Sequence, residues 1–506
     1  MSSEPIERRV SYIGDRLRGS RCPVCGREYF RPRLYCGSCG RDTVGRMEDI
    51  SLFYEKGVLE VCTVVREPTN RFRGLGSYVY GIASFHDGAV EVPVRVTDLV
   101  ADEVVDPSQF EGREVVPRIR RRYAVGPSEV VPTISLAVTF ADEYYPHQPL
   151  EVGEPKVRAE RPGIVGYGVY TPVFRIREEG MERTVPFVDE DSITAAVEAG
   201  KQAIIHAGVS PGLIKKVYVG SESNPYAVKP IASKVAQVLE LGASLEGGMQ
   251  EVDAVDTQFA CKAATSMFKD AAALTYYPFV ETPLAMVIGT DNAQAAPRGT
   301  PGGELDFFVG FGASAFIFGV YDVIAELEAW CSCTSDTPDF WRRDLQPYPR
   351  HGGRFTGAPA YFKHIEKAAR RLMERYGYEP SDFDYFVTHQ PNPSFPVKVA
   401  RSLGFREEQY EAGLRVAKFG NTYSSSSPLG LAAVLDKAEP HQRILLVSYG
   451  SGAGSDAYAF VTTKLIIEKR RRQRFTVEWQ AENPFLRYID YATYRRFKEG
   501  LELPSW

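Results

Sequence analysis

A chain of 506 residues, 44% hydrophobic and 25% charged, has an ordinary globular composition and room for about three domains of ~150 residues each. The formal charge of -5 argues against a whole-protein nucleic-acid binder, and no apolar run reaches the ~18 residues that a membrane helix needs. The opening Met-Ser-Ser-Glu-Pro-Ile-Glu-Arg-Arg has no signal-peptide core, so a cytoplasmic chain is expected, in which eight cysteines favour metal and thiol chemistry over disulfides.

Four of those cysteines crowd into one segment, Cys22-Pro-Val-Cys25-Gly and Cys36-Gly-Ser-Cys39-Gly, two CxxC knuckles separated by ten residues. Four thiolates at this spacing can close a tetrahedron around zinc, and the glycines let backbone amides turn toward the sulfurs. Such a site has no open coordination position, so residues 1–48 read as a stapled zinc ribbon without a catalytic role.

Residues 49–145 change to short β-rich runs, among them Val58-Leu-Glu-Val-Cys-Thr-Val-Val, Tyr78-Val-Tyr-Gly-Ile-Ala-Ser-Phe and Val90-Glu-Val-Pro-Val-Arg-Val, punctuated by Asp-Gly and Pro-Ser turns. A small barrel is expected. A zinc ribbon followed by such a barrel resembles the OB-fold proteins that accompany thiolase-type acyl-CoA enzymes. The basic run from Arg118 to Arg122 could serve the phosphates of an oligonucleotide or of a CoA ester, or be a solvated edge strand. Residues 146–162 are proline-rich, charged and aperiodic, which marks a linker.

From Gly163 onward apolar strands alternate with helices, an α/β pattern, and residues 326–506 echo residues 163–325. Val217-Tyr-Val-Gly-Ser-Glu-Ser-Asn-Pro answers to Tyr385-Phe-Val-Thr-His-Gln-Pro-Asn-Pro, Phe259-Ala-Cys261-Lys-Ala-Ala to Phe419-Gly-Asn421-Thr-Tyr-Ser, and Met286-Val-Ile-Gly-Thr-Asp to Leu446-Val-Ser-Tyr-Gly-Ser. A duplication whose strand-end loops are polar predicts that those loops meet, and they carry Glu222, Cys261, His389 and Asn421. Cys261 opens a stretch with Ala263, Ala264 and Met267 at helical spacing, where first-turn amides would lower a thiol's pKa. Taken singly, Cys261 could equally be a small core residue, Glu222 a helix-cap acid, His389 a satisfied core histidine and Asn421 a tight-turn residue.

Together these stretches resemble the thiolase superfamily, and within it the archaeal type of hydroxymethylglutaryl-CoA (HMG-CoA) synthase. The resemblance runs over about residues 163–501 and includes Val219-Gly-Ser-Glu-Ser-Asn-Pro, Tyr348-Pro-Arg-His-Gly-Gly-Arg-Phe-Thr-Gly, His389-Gln-Pro-Asn and Tyr449-Gly-Ser-Gly-Ala-Gly-Ser-Asp-Ala. It implies a duplicated five-layer αβαβα fold that is usually dimeric, with a thiolase as an associated enzyme. It also implies an acetyl group carried on Cys261, Glu222 as the base on the acetyl methyl group, and His389 as the partner of the acceptor carbonyl. Arg354, Thr356, Asn421 and Ser451 would contact substrate, and amides of Gly450-Ser-Gly-Ala-Gly would face an oxyanion. Trp341, Arg342 and Arg343 stand in a further matching stretch as either phosphate clamp or surface charge.

The chain departs from that pattern at three places: residues 178–184 replace a longer covering segment, Ser394 stands where a lysine near CoA is usual, and Phe308 replaces a small hydroxyl residue. Such changes bear on the acceptor more than on the thioester chemistry. The substrates implied are acetyl-CoA and a second acyl-CoA. A C-acyltransferase or ketoacyl synthase-like enzyme with another acceptor, and a silent scaffold for a thiolase complex, are the competing readings. With Ser394 in place of lysine, the barrel's Arg118, Arg120 and Arg121 are expected to supply phosphate contacts from the end of a loose tether.

Overall fold

A computed structural model describes residues 17–68, 75–121, 134–245, 249–277, 283–292, 294–343 and 346–501. At the N-terminal end, β1 (Arg18–Arg21), β2 (Glu28–Phe30) and β3 (Glu48–Ser51) form a small antiparallel sheet in the order β2-β1-β3. The cysteine knuckles hang from it. Gly26 and Gly40, each one residue after the second cysteine of its pair, turn with φ of 72° and 71°, a region that favours glycine.

Five strands then close a barrel: β4 (Gly57–Val65), β5 (Tyr78–Phe85), β6 (Val90–Val96), β7 (Glu114–Arg121) and β8 (Ile134–Phe140), in the order β4-β5-β6-β8-β7. The β6–β8 pairing is parallel and the others antiparallel, the strand order of an OB barrel. Alternation decides which side chains go in: Val90, Val92, Val94 and Val96 of β6 are all buried.

The part from Arg158 onward is built on a nine-stranded sheet. Its strands are β9 (Arg158–Tyr170), β12 (Ile214–Gly220), β13 (Asp253–Thr257), β14 (Leu284–Asp291), β15 (Gly312–Tyr321), β16 (Ala325–Thr334), β17 (Tyr385–Thr388), β18 (Arg443–Val447) and β19 (Gly454–Thr462). A short hairpin, β10 (Phe174–Glu178) and β11 (Met181–Thr184), occupies residues 174–184. The sheet order is β13-β12-β14-β15-β9-β16-β19-β18-β17. Outward from the β9–β16 pair, each half therefore places its first strand, then its last two in reverse order, then its second. The β12–β14 and β17–β18 pairs are parallel, while β14–β15–β9 and β18–β19–β16 run antiparallel. The duplication legible in the sequence is thus a duplication of topology.

Helices sort into three layers by their polarity. Helix α3 (Phe268–Tyr276) and the wholly buried α6 (Ser426–Leu435) share the central core with Ala285, Val287, Leu446 and Phe460. Helices α1 (Ser192–Ala207) and α2 (Ile231–Val238) cover the first half-sheet; α4 (Phe362–Tyr376) and α5 (Ser394–Leu403) cover the second. Helix α1 is buried at every residue because the barrel packs on its outer side, and one continuous core runs from Leu59 and Val92 through Val197 to Val217.

That packing overturns the phosphate-binding expectation for Arg118 and Arg120. They are 1% and 0% exposed: Arg118 Nε donates to Glu198 Oε1 at 2.8 Å, and an Arg120 terminal nitrogen donates to Asp98 Oδ1 at 3.0 Å. Strand β7 lies against α1, so its arginines meet Asp98 of the barrel and Glu190 and Glu198 of the part that follows, and are withdrawn from any phosphate. Arg121 is half-buried, and Arg122 lies outside the described residues. The tether expectation is corrected as well. The Gly153 amide donates to Gly208 O at 2.9 Å, the Val157 amide donates to Asp322 Oδ1 at 2.9 Å, and β9 begins at Arg158, so residues 146–162 are strapped down along much of their length.

Candidate active site

Strand β13 delivers the chain into a tight turn at Ala260, whose φ of 43° is unusual for a residue with a Cβ, and the 3-10 turn Ala260–Lys262 follows. Cys261 therefore projects from a sharp strand-to-helix corner, 5% exposed. Lys262 braces the corner from beneath, donating to Asp456 Oδ2 at 2.8 Å with its ammonium 4.2 Å from the centre of the Phe259 ring. Gly450 closes on the same corner, where a Cβ would stand 2.4 Å from the Phe259 carbonyl oxygen.

The Cys261 thiol donates to Glu222 Oε1 at 3.0 Å. Burial, and next the nearby Asp291 carboxylate, push the Glu222 carboxyl up to about 8. The Cys261 thiol is also pushed well up, first by burial and then by the Glu222 carboxylate. This runs against the expectation of a thiol activated by helix amides: burial first, and then the acid beside the sulfur, favour the protonated thiol. What the pair offers instead is a proton acceptor in hydrogen-bond contact with a thiol.

Asp291, at the end of β14, holds both halves of the duplication. Its Oδ1 accepts from Ser221 Oγ (2.9 Å), the amides of Glu222 (2.9 Å) and Ser223 (3.0 Å), and Ser223 Oγ (2.6 Å). Its Oδ2 accepts from the amide (2.9 Å) and hydroxyl (2.6 Å) of Ser424. The second-half loop so fixed contains Asn421, whose amide donates to Phe308 O at 2.7 Å and whose Oδ1 accepts from the Tyr423 amide at 2.9 Å. Tyr423 and Val309 pack with Cys261 and Ala295 in one small apolar cluster.

His389 follows β17 and is 2% exposed. Its carbonyl accepts from Tyr361 Oη at 2.6 Å, and the neighbouring Gln390 is pinned by the amides of Arg415 (2.7 Å) and Val416 (3.0 Å). Burial depresses the imidazole to about 3, so it is neutral, and its Nδ1 has no hydrogen-bond partner among the described residues. Tyr449 links it to the rest: the ring centroids lie 6.3 Å apart, and Tyr449 Oη donates to Asp339 Oδ2 at 2.5 Å. Asp339 also receives the Gly452 amide at 2.8 Å, and its carbonyl accepts from Thr356 Oγ1 at 2.9 Å.

Glu222 and Cys261 are thus in contact and Asn421 shares Tyr423 with Cys261, while His389 and Thr356 are linked to one another through Tyr449 and Asp339. Arg354 is exposed and makes no polar contact among the described residues. The amides of 450–454 do not form the open cradle expected of them: Gly450 donates to Gly454 O, Gly452 to Asp339, Ala453 to Ser335 O and Gly454 to Gly450 O. Ser451 keeps the one amide of the five with no partner among the described residues. A cavity of about 190 Å³ opens elsewhere, between residues 153–157, Gly208, Lys469 and Arg472, and none of the site residues lines it.

Among known proteins the hydroxymethylglutaryl-CoA synthase of Methanopyrus kandleri is 48% identical over 358 residues, covering 67% of this chain and 99% of that protein. The chain belongs to the hydroxymethylglutaryl-CoA synthase family. The synthase of Archaeoglobus fulgidus is 47% identical over the same shares of the two chains. Residues 373–461 match the family described as 3-Oxoacyl-[acyl-carrier-protein (ACP)] synthase III C terminal. The fold is that of a solved structure of MvaS in complex with 3-hydroxy-3-methylglutaryl coenzyme A, at 20% identity and TM-score 0.59, covering 68% of this chain and 92% of that one. It is also that of 3-oxoacyl-(acyl carrier protein) synthase III from Pseudomonas aeruginosa PAO1, at 20% identity and TM-score 0.53, covering 60% of this chain and 99% of that one.

Of the three expected departures, residues 178–184 end in the buried Arg183 and Thr184, the latter donating to Phe419 O at 2.9 Å, while the other two are partly or wholly exposed. Phe308 contributes its carbonyl to Asn421 while its ring is 39% exposed, and Ser394 donates through its amide and hydroxyl to Asn392 Oδ1, both at 3.0 Å. Trp341, Arg342 and Arg343 are exposed. Asp291, Asp339 and Tyr423 were not singled out by reasoning from the sequence. Asp291 had a signal, an acid ending the otherwise apolar run Leu284-Ala-Met-Val-Ile-Gly-Thr; Tyr423 and Asp339 lay inside matching stretches, beside Asn421 and Trp341, with nothing in their own residue type to set them apart.

Proposed function

We propose that this chain joins the acetyl group of acetyl-CoA to acetoacetyl-CoA, with water, to give HMG-CoA and CoA. The observation that carries the reading is the 3.0 Å contact between Cys261 and Glu222 in a chain of this family. Glu222 takes the thiol proton as sulfur attacks the acetyl carbonyl, and CoA leaves as a thiol with that proton, leaving acetyl-Cys261. The freed carboxylate then removes a methyl proton, the resulting carbon attacks the ketone carbon of the acceptor, and the new alkoxide takes the proton back from Glu222. Because its imidazole is neutral, His389 acts in this scheme as a hydrogen-bond donor to the alkoxide and not as an acid. Water finally cleaves the thioester, freeing product and the Cys261 thiol.

The four cysteine sulfurs of the ribbon lie within 4.8 Å of one another, with Cys25 and Cys36 at 3.6 Å. That is far from the ~2.05 Å of a disulfide and near the ~3.8 Å expected of sulfurs placed about 2.3 Å from a common centre. The donor set Cys22, Cys25, Cys36 and Cys39 thus fits structural zinc, and reduced sulfurs of this kind support a cytoplasmic protein. A homodimer and a thiolase as partner complete the proposal. Strand β13, at the end of the sheet with Val255 40% exposed, supports the first.

Incubation with acetyl-CoA should add one hydroxylamine-labile acetyl group at Cys261, and acetoacetyl-CoA should then discharge it as HMG-CoA. Labelling of a different cysteine would reject the nucleophile. Discharge only by another acyl-CoA would reject the acceptor.

A further inference from the structure

Arg95 and Arg120 of the barrel meet the segment Asp189-Glu190-Asp191-Ser192 that leads into α1. Arg95 pairs with the Asp189 carboxylate, to which Thr97 Oγ1 also donates at 3.0 Å, while the Arg121 amide donates to Asp189 O at 2.7 Å. Arg120 lies 3.3 Å from Glu190 Oε1, which also takes the Tyr170 hydroxyl; the other Glu190 oxygen accepts from the Phe187 amide at 2.9 Å. Asp191 caps α1, accepting from the amides of Ile193 and Thr194 at 3.0 Å each. Ser192 then crosses to the catalytic loop: its Oγ donates to Ser223 O at 3.1 Å and lies 3.1 Å from Ser223 Oγ. Ser223 follows Glu222 in sequence and shares Asp291 Oδ1 with it. Asp189, Glu190, Asp191, Ser192 and Ser223 are all buried, so the chain of contacts lies in a low-dielectric interior.

We propose that Arg95 and Arg120 are positioning residues for the base Glu222, acting through Asp189–Ser192 and Ser223. The inference rests on the reading of Glu222 as the base. Ion pairs in a low-dielectric interior fix the backbone of 189–192, and the ensuing serine contact fixes the loop that aims the carboxylate. Acetyl transfer asks of Glu222 only that it accept a thiol proton already donated to it at 3.0 Å, from a sulfur held by the corner at Ala260 and Lys262. Abstraction needs the carboxylate aimed at a methyl group, so the relay should act on proton abstraction more than on acetylation.

The full-length chain provides the test, with Ser192→Ala, Ser192→Thr, Arg95→Lys and the Arg95→Lys/Ser192→Ala double variant. Acetylation of Cys261 is followed by intact mass, and abstraction by exchange of the acetyl methyl protons with deuterated water. Ser192→Ala should acetylate within about twofold of wild type yet exchange roughly tenfold more slowly, as expected when a catalytic group is misplaced. Ser192→Thr, which keeps the hydroxyl, should recover most of the exchange. Arg95→Lys should slow exchange, and the double variant should be no slower than Ser192→Ala alone, because both act on one path. Wild-type exchange in Ser192→Ala, equal losses of acetylation and exchange, or multiplying losses in the double variant would each overturn the relay. Wild-type exchange in a folded Arg95→Lys would overturn the arginines' part; should that variant fail to fold, Thr97→Ala, which removes the other barrel side chain that donates to Asp189, is measured in its place. Glu222→Gln separates the premises: exchange surviving there overturns the base and the relay together, whereas exchange lost there but intact in Ser192→Ala overturns the relay alone.

Discussion

The Sγ of Cys261 and the Oε1 of Glu222 stand 3.0 Å apart, the thiol donating to the carboxylate. Neither group is poised alone. Burial and the Asp291 carboxylate raise Glu222 to about 8, and the Glu222 carboxylate in turn helps hold Cys261 protonated.

The first expectation concerns stability against pH. A carboxyl raised from its ordinary value of 4.5 to about 8 binds more protons folded than unfolded between those limits. The fold therefore loses stability as pH rises from about 4.5 to 8, and the contribution is fully present only below the lower value. Glu222→Gln removes this dependence. Its Tm should exceed that of wild type at pH 8 by about 1–3 °C and by less at pH 5; an equal difference at both would reject the raised carboxyl.

The thiol should report the same pair. Removing the negative charge beside sulfur lowers the energy of the thiolate, so the pH midpoint of Cys261 alkylation should move down in Glu222→Gln. Mass spectrometry of alkylation rates across pH measures it. An upward shift would mean that the carboxylate is not the group that opposes ionisation.

Asp291 should be as costly to change as a core residue. Its two oxygens accept six hydrogen bonds from Ser221, Glu222, Ser223 and Ser424. An amide nitrogen in Asp291→Asn would confront donors, so a loss of about 2–4 kcal/mol is expected in denaturant unfolding, together with loss of acetyl proton exchange. A variant with wild-type unfolding would reject the acid as the joint between the two loops.

The ribbon should bind one zinc per chain, lost in Cys36→Ala, with Cys261 still acetylated in protein that remains folded. Metal analysis beside the acetylation assay checks this. A full equivalent of zinc retained by Cys36→Ala would place the metal elsewhere.

The barrel should be inseparable from the catalyst. Residues 163–506 made alone would uncover α1 and leave Asp189, Glu190 and Glu198 without Arg95, Arg118 and Arg120. Stranded buried charge of this kind costs several kcal/mol, so that fragment should be insoluble or molten, and not merely weaker for CoA. Charge reversal at Arg118 or Arg120 should destabilise the full chain to a similar extent at low and high salt, because pairs out of reach of ions are little screened. A well-folded, active fragment would show that the interface is dispensable.

Much of this protein was written locally and could be read there. The CxxC spacing, the strands Tyr78–Phe85 and Val90–Val96, and the duplicated strand-end motifs depend on residues near one another in sequence, whose periodicity and turn chemistry act at short range. That Glu222 and Cys261 meet could be anticipated because the polar strand-end loops of the duplicated parts are expected to converge, and both residues sit on such loops. What the tertiary structure alone decided is the electrostatics. Arg118-Ile-Arg-Arg-Arg reads as a phosphate strip until β7 is laid against α1, and a cysteine at a helix mouth reads as activated until Glu222 and Asp291 are buried beside it. A charge's energy depends on what surrounds it in three dimensions and on how much water is left, and neither is a property of its neighbours in the chain.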